Sequence, residues 1–193
     1  MANRDAAMGF TPVQKLDGSI IPREEYPVDS GNGTNLFVGD PVEIAAAGSV
    51  QKVATAGTNP TRVIGVITGI KDSDGNSAGH PNSSISTKYL PSSTAGLVTV
   101  ALVLPDAIFS IQADTGTVLT SSNRFNMADF VITAGDTTTA RSKYELDSSG
   151  LGASAAQCAV LDLVDEPGNS WGEHANLKVI FNESFWNGAV AGI

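Results

Sequence analysis

Apolar residues recur along this chain in short runs that are separated by glycine, proline and small polar residues. Residues 36–45, LFVGDPVEIA, predict a strand interrupted by a Gly-Asp-Pro turn, and VQKVAT (50–55) alternates apolar and polar positions. VIGVITGI (63–70) is nearly all apolar and predicts a buried strand. Two further strands are predicted within 96–114, with Pro105 marking a bulge or corner between them.

The rest of the chain continues this pattern. Residues 141–147, 156–167 and 176–186 predict the remaining strands, 71–84 is a polar, Gly-rich loop, and 121–132 has room for one short helical turn capped by a serine. No segment keeps a helical period over three turns. The sequence therefore predicts a mainly β protein, with a single compact β-barrel or β-sandwich domain over residues 34–193.

Residues 1–33 differ from the rest because their apolar side chains are sparse and are interrupted by three prolines. Each proline biases the residue before it to extended geometry, and no helical period is present. A disordered tail is one interpretation. We favour an extended N-terminal arm that lies on another surface, since a solvated tail has no use for seven sizeable apolar side chains.

Composition and charge exclude several classes of partner. Hydrophobic residues make up 41% of the chain and charged residues 16%, and the formal net charge is −9. Because phosphate binding needs clustered Lys and Arg, which this chain lacks, we expect no nucleic-acid partner. There is no run long enough to span a membrane and no apolar secretory signal at the N-terminus, so we expect a protein that is made in the cytoplasm.

Candidate chemistry is sparse. The single cysteine, Cys158, lies in an apolar context and is predicted to be a buried side chain, and neither His80 nor His174 has metal-ligand spacing to a second His or to Cys158. DSDGNS (72–77) imitates the start of a calcium loop but lacks the closing Glu, and it is also ordinary turn chemistry. We therefore expect no metal site and no cofactor.

Carboxylates at 162, 165 and 166 leave a hydrolase open as a minor alternative, although the pattern favours a solvated strand face and loop. No nucleophile elbow, phosphate loop or dinucleotide fingerprint is present, so the sequence predicts no catalytic residues and no enzyme activity. The densest aromatic region holds Trp171, Phe181, Phe185 and Trp186, and of these we select Trp171, Phe185 and Trp186 as candidate contact residues. This region is either a final core strand with flanking aromatics or an oligomer interface, where Trp and Phe are favoured anchors.

Several stretches, taken in order, resemble a family of small head proteins of tailed phages. MGFTPVQKLDGS at the N-terminus is similar to the family's opening Gly-Phe-x-Pro-Val followed by Leu-Asp-Gly. LFVGDPVEI, VIGVITGI, YELDSS and LDLVDEPGN with NLKVIFN match the family pattern in the same order, and the GDPV and VIGV stretches are loosely similar to lambda-type decoration proteins. Thr11 departs from the pattern, since the family often has a basic residue there.

The resemblance implies a capsid decoration, or cement, protein that sits on the outer surface of the virion and stabilises contacts between major capsid protein subunits. It also implies a β-rich homotrimer. The arm is then expected to bind the capsid through its exposed side chains, and the C-terminal aromatics to form the oligomer interface. The expected capsid-binding residues are Phe10, Pro12, Val13, Leu16, Ile20 and Ile21. A carbohydrate-binding or adhesin module on the virion surface is the alternative, with Trp171 and Trp186 as its aromatic platform.

Overall fold

The structure is a computed structural model that describes residues 3–53, 63–152 and 156–187. Within these ranges the chain forms twelve strands, which are β1 (Thr11–Lys15), β2 (Arg23–Val28), β3 (Pro41–Ile44), β4 (Val50–Lys52), β5 (Val63–Lys71), β6 (Gly96–Leu102), β7 (Ala107–Gln112), β8 (Met127–Ala128), β9 (Phe130–Val131), β10 (Glu145–Leu146), β11 (Cys158–Leu163) and β12 (Asn176–Phe181). The helical residues described are three short 3₁₀ turns, Ala46–Gly48, Ser121–Asn123 and Phe185–Asn187. The mainly β prediction is confirmed.

Most strands belong to two antiparallel sheets of five strands each. The first sheet has the order β1-β7-β12-β11-β8 and the second β2-β6-β5-β3-β4, while β9 and β10 form a small separate pair. The sheets pack in a sandwich-like arrangement and, over the described residues, no closed barrel is found. Of the two architectures left open by the sequence, the sandwich is the one observed.

The larger core cluster lies between the two sheets. It combines apolar side chains of the first sheet, such as Phe109 and Val179, with side chains of the second, such as Val66 and Ala101. A second cluster covers the other face of the second sheet, where Ile67 and Val100 pack against residues of the loops such as Leu90. Both faces of β5 are therefore buried, which explains why residues 63–70 form an almost uninterrupted apolar run.

Local sequence signals account for several connections. Pro105 lies in the short connection between β6 and β7, as predicted for a corner. The 3₁₀ turn at 121–123 occurs where one helical turn was expected, but the residue that precedes it is Thr120, whose backbone N–H donates to Asn123 Oδ1 at 2.8 Å. Residues 54 and 55 of the predicted 50–55 strand lie outside the described residues. None of the described helical segments is long and apolar enough to cross a membrane.

The predicted separation of residues 1–33 from the β-domain is wrong. β1 is an edge strand of the first sheet, paired with β7, and β2 is an edge strand of the second sheet, paired with β6. The Phe10 ring is 2% exposed and lies in the larger core, with ring centroids 4.8 Å from Phe181 and 5.5 Å from Phe130. The segment belongs to the domain because it pairs with a strand of each sheet and places Phe10 in the core. The sequence did not reveal this because these partners lie far away in the chain.

Close backbone contact fixes the N-terminal segment on the Gly-Asp-Pro turn. The Phe10 N–H donates to the Gly39 carbonyl at 2.9 Å, and the Gly39 N–H donates to the Ile67 carbonyl on β5 at 2.9 Å. A Cβ placed on Gly9 would lie 2.3 Å from Ser142 Oγ and 2.5 Å from the Gly39 oxygen. Gly9 also has φ of +71°, a backbone conformation that residues other than glycine rarely adopt, so this contact requires glycine.

The same turn carries a buried ion pair. Asp40 is fully buried and accepts a hydrogen bond from the Phe37 N–H at 3.0 Å, and its carboxylate lies 3.5 Å from Lys52 Nζ. Burial raises the pKa of Asp40, while the Lys52 ammonium acts in the opposite direction. The Lys52 ammonium also lies 4.8 Å from the centroid of the Tyr144 ring. These charges are therefore part of the structural core of the domain, where Asp40 Oδ2 contacts both the Phe37 N–H and Lys52 while Oδ1 has no hydrogen-bond partner among the described residues.

We predict that Phe10→Ala lowers the free energy of unfolding by about 3–5 kcal/mol, the usual range for truncating a buried phenylalanine. Ile20→Ala is the matched control in the same segment, because Ile20 is 85% exposed, and it is expected to stay within about 0.5 kcal/mol of the parent protein. Urea unfolding followed by circular dichroism measures both. Equal effects of the two substitutions would contradict the placement of Phe10 in the core.

Candidate interaction surface

The structure divides the six predicted arm residues into two groups. Phe10 and Ile21 are buried in the larger core, so the expectation that they contact another protein is wrong. Val13, Leu16 and Ile20 are exposed, and Pro12 is half-buried. The three exposed residues are thus the only members of the predicted set whose large apolar side chains project from the described surface.

Leu16 and Ile20 lie in a hydrogen-bonded turn that joins β1 to β2. The Lys15 N–H donates to the Ser19 carbonyl at 2.9 Å, and the Ser19 N–H donates to Asp17 Oδ1 at 2.8 Å. The hydrogen bond to Ser19 also lowers the pKa of Asp17. We call residues 15–22 the β1–β2 turn. Its backbone is held by internal hydrogen bonds even though its two large apolar side chains face solvent.

The β1–β2 turn is also tied to the connection between β6 and β7. The Leu16 N–H donates to the Asp106 carbonyl at 2.8 Å, and Lys15 Nζ lies 2.7 Å from the Asp106 carboxylate. That contact raises the pKa of Lys15. At the other end of the turn, the Leu102 N–H donates to the Pro22 carbonyl at 3.0 Å. The turn is therefore anchored at both ends to residues 102–106.

The three predicted C-terminal aromatics do not form one group. Trp171 precedes β12, is half-buried against the larger core, and has the Arg124 guanidinium 5.3 Å from its ring centroid. Phe185 and Trp186 follow β12 and contact each other with perpendicular rings at 5.1 Å. Both of these side chains are exposed. Phe185 and Trp186 are thus available at the surface, whereas Trp171 is partly covered.

Phe185 and Trp186 are attached to the same end of the sandwich as the β1–β2 turn. Trp186 Nε1 donates to the Ile64 carbonyl at 2.8 Å, and the Val103 N–H donates to that carbonyl at 3.1 Å. Ser184 Oγ donates to the Val103 carbonyl at 3.2 Å. Residues 102–106 therefore anchor both the β1–β2 turn and the pair of C-terminal aromatics. We call Leu16, Ile20, Phe185 and Trp186 the apolar end.

Two of the three carboxylates that left a hydrolase open have structural partners. Asp162 pairs with Arg124 at 2.9 Å, and that side-chain contact lowers the pKa of Asp162. Asn176 Nδ2 donates to Glu166 Oε1. A general acid needs a raised pKa, so Asp162 is better suited to its ion pair than to proton donation. Cys158 is fully buried, as predicted, and burial raises the pKa of its thiol.

The DSDGNS loop is organised around the buried carboxylate of Asp72. Asp72 Oδ1 accepts hydrogen bonds from the N–H groups of Asp74 and Asn76 at 3.0 and 2.8 Å, and Oδ2 accepts one from the Ser84 N–H at 2.9 Å. Burial opposes ionisation, but these donors outweigh it and hold the pKa of Asp72 well below its usual range. Both oxygens point at N–H donors, so this carboxylate closes a turn, as the local sequence favoured.

A group of side chains that the sequence analysis did not connect comes together elsewhere. Asp5, Glu145 and His174 place one donor atom each within 4.8 Å of one another. Burial and then the charges of Asp5 and Asp114 raise the pKa of Glu145. Short metal-ligand spacing can be read from a sequence, but two carboxylates that are more than a hundred residues apart leave no such signal.

Comparison of the chain with protein-family models, with curated proteins and with solved structures found no match. The resemblance to phage head proteins therefore remains a prediction from the quoted motifs.

We predict that Asp72→Asn destabilises the protein at neutral pH and that the difference from the parent shrinks in acid. The folded-state pKa of Asp72 lies below the unfolded value of about 3.9, so its contribution is complete above that pH and is lost as the pH falls through the folded-state value. Melting temperatures of both proteins between pH 7 and pH 2.5 test this. Asp74→Asn, at an exposed position of the same loop, is the control. A difference that stays constant below pH 4 would contradict the assignment.

Proposed function

We propose that this protein is a structural virion protein that binds the outside of a phage capsid and stabilises contacts between major capsid protein subunits. The observation that carries the proposal is the apolar end, where a hydrogen-bonded turn and a C-terminal aromatic pair expose four large apolar side chains around residues 102–106. The resemblance to tailed-phage head proteins, whose motifs occur in the same order in this chain, suggests the major capsid protein as the partner.

Because the β1–β2 turn is anchored to the domain, binding to the capsid costs less backbone entropy than it would for a free arm. A free arm of some twenty residues would lose about 1–2 kcal/mol of backbone entropy per residue on binding, which its apolar side chains do not outweigh. Here β1 and β2 are already paired with β7 and β6. The loss of backbone entropy therefore occurs when the protein folds and not when it binds the capsid. Burial of Leu16 and Ile20 then contributes directly to binding, at up to about 1.5–3 kcal/mol for each fully buried side chain.

This geometry favours side-chain docking over strand addition. The outer edge of β2 carries Pro27 together with Arg23, Glu24 and Glu25, and β1 carries Pro12 and a register shift between Pro12 and Gln14. Prolines, charges and bulges on edge strands oppose pairing with another chain. We therefore place the capsid contact at the tip of the β1–β2 turn.

The carbohydrate-binding alternative has less support. Its two tryptophans lie on opposite sides of β12 in the chain, and the Arg124 guanidinium lies over the Trp171 ring. Phe185 and Trp186 stand at 90° to each other, so the pair does not present one flat face on which a sugar ring can stack. No catalytic role is part of the proposal.

We predict that Leu16→Ser and Ile20→Ser together weaken capsid attachment by at least about tenfold without changing the melting temperature, because both side chains are exposed. Co-sedimentation of the full chain with undecorated capsids of the cognate major capsid protein measures this. Val118→Ser is the matched control, since Val118 is 62% exposed, as is Leu16, but lies outside the apolar end. Full occupancy by the double variant at parental affinity would refute the assignment of this surface.

We also predict that the free protein is a homotrimer and that Phe185→Ser shifts it towards monomer. Phe185 is chosen because it is exposed, whereas the Trp186 indole is hydrogen-bonded to the backbone of Ile64 and supports the fold. Buried aromatic side chains are common anchors at the centres of interfaces. Native mass spectrometry at micromolar concentration gives the oligomer order. A parental protein that is monomeric, or a variant that stays trimeric, would remove Phe185 from the interface.

A further inference from the structure

The N-terminal segment, the strand β10 and the loop before β12 meet at one point on the surface. Each contributes one side chain there, namely Asp5, Glu145 and His174, and their donor atoms lie within 4.8 Å of one another. We propose that these three residues bind a divalent transition-metal ion of the zinc class. This site lies apart from the apolar end and does not depend on the capsid assignment.

The backbones of two of the three ligands are held in place by one buried side chain. Gln112 is 6% exposed, and its Nε2 donates to the carbonyls of Arg4 at 2.9 Å and of His174 at 3.1 Å. Its Oε1 accepts the Ala6 N–H at 2.8 Å. The residues on both sides of Asp5 are thus fixed to the same amide group that fixes His174.

A second side chain clamps the same two segments. Asn3 Nδ2 donates to the carbonyls of Ser170 and Glu173, each at 2.8 Å, and the Ser170 N–H donates to Asn3 Oδ1 at 3.0 Å. The approach of Asp5 to His174 is therefore built by specific contacts on either side of it. Such preorganised backbone is what a metal site needs from its scaffold.

His174 itself points to a ligand. Its Nδ1 is buried and has no hydrogen-bond partner among the described residues. A buried polar atom without a partner is costly, and a cation coordinated by Nδ1 would offset that cost.

The donor set fits the proposed class of metal. One imidazole and two carboxylates suit zinc and its neighbours, whereas calcium prefers six to eight oxygen ligands. Tetrahedral bonds of about 2.0–2.2 Å place donors roughly 3.4 Å apart, so small side-chain rotations would close the observed spacing. Asp114 adds negative charge nearby, but its Oδ1 already accepts the N–H groups of Gly116 and Ser148. A water would complete the coordination, since Asp5 is exposed.

Isothermal titration of the full chain, first treated with EDTA, with zinc chloride tests the proposal. We expect saturable 1:1 binding, little heat with calcium chloride, and a rise in melting temperature with zinc that EDTA reverses. Glu145→Gln and His174→Asn should each weaken zinc binding by at least about tenfold. Asn is chosen because it tolerates the φ of +53° at position 174, so the backbone there is not further strained.

Two matched variants separate this site from general surface binding. His80→Gln and Asp165→Asn remove an imidazole and a carboxylate at exposed positions elsewhere, and both should bind zinc as the parent does. Asp5→Asn, also exposed, serves if either ligand variant fails to fold. Absence of saturable zinc binding by the parent, or equal binding by His174→Asn and His80→Gln, would overturn the site.

Discussion

The burial of the Phe10 ring among the phenylalanines between the two sheets is the contact on which the placement of the N-terminal segment depends. The ring reaches Phe130 and Phe181, which lie on different strands, and the adjacent Gly9 backbone approaches Gly39 too closely for any side chain. Once Phe10 is inside, the chain on either side of it has a fixed course. Residues 3–6 must run past Gln112, and residues 11–28 must follow the edges of both sheets.

That course determines what the protein presents to solvent. A chain that pairs first with one sheet and then with the other has to cross from one layer to the next, and the crossing is the β1–β2 turn. Phe10 on one side and Ile21 on the other are buried, so the residues between them form a short bridge outside the core. Leu16 and Ile20 are exposed for this reason, and the backbone of the turn is nonetheless held by hydrogen bonds from Lys15 to Ser19 and from Leu16 to Asp106. An exposed apolar side chain on a rigid backbone is a favourable starting point for binding.

Sequence reasoning succeeded where the determining interactions are local. The apolar run of β5, the corner at Pro105 and the turn around Asp72 follow from neighbouring residues, and such signals were sufficient to predict a mainly β fold, whereas the choice between barrel and sandwich came from the structure. It failed at residues 1–33, because sparse apolar residues in one segment carry no sign of the distant side chains that they pack against. Phe10 is buried without the help of apolar neighbours in its own segment, because the rings that it packs against lie more than a hundred residues later in the chain. The grouping of Asp5 with Glu145 and His174 has the same origin, since only the folded chain brings them together.

The proposed capsid contact of the N-terminal segment can be separated from its role in folding by substitution but not by truncation. Removing residues 1–30 would take away an edge strand from each sheet together with Phe10, so a truncated chain that fails to attach would not reveal whether binding or folding was lost. The exposed and buried side chains of the segment offer a cleaner division. Phe10 lies in the core and Ile20 at the surface, although only ten residues separate them. Substitutions at exposed positions therefore change the proposed contact surface of an intact domain, whereas substitutions at Phe10 or Gly9 change whether that surface is built at all.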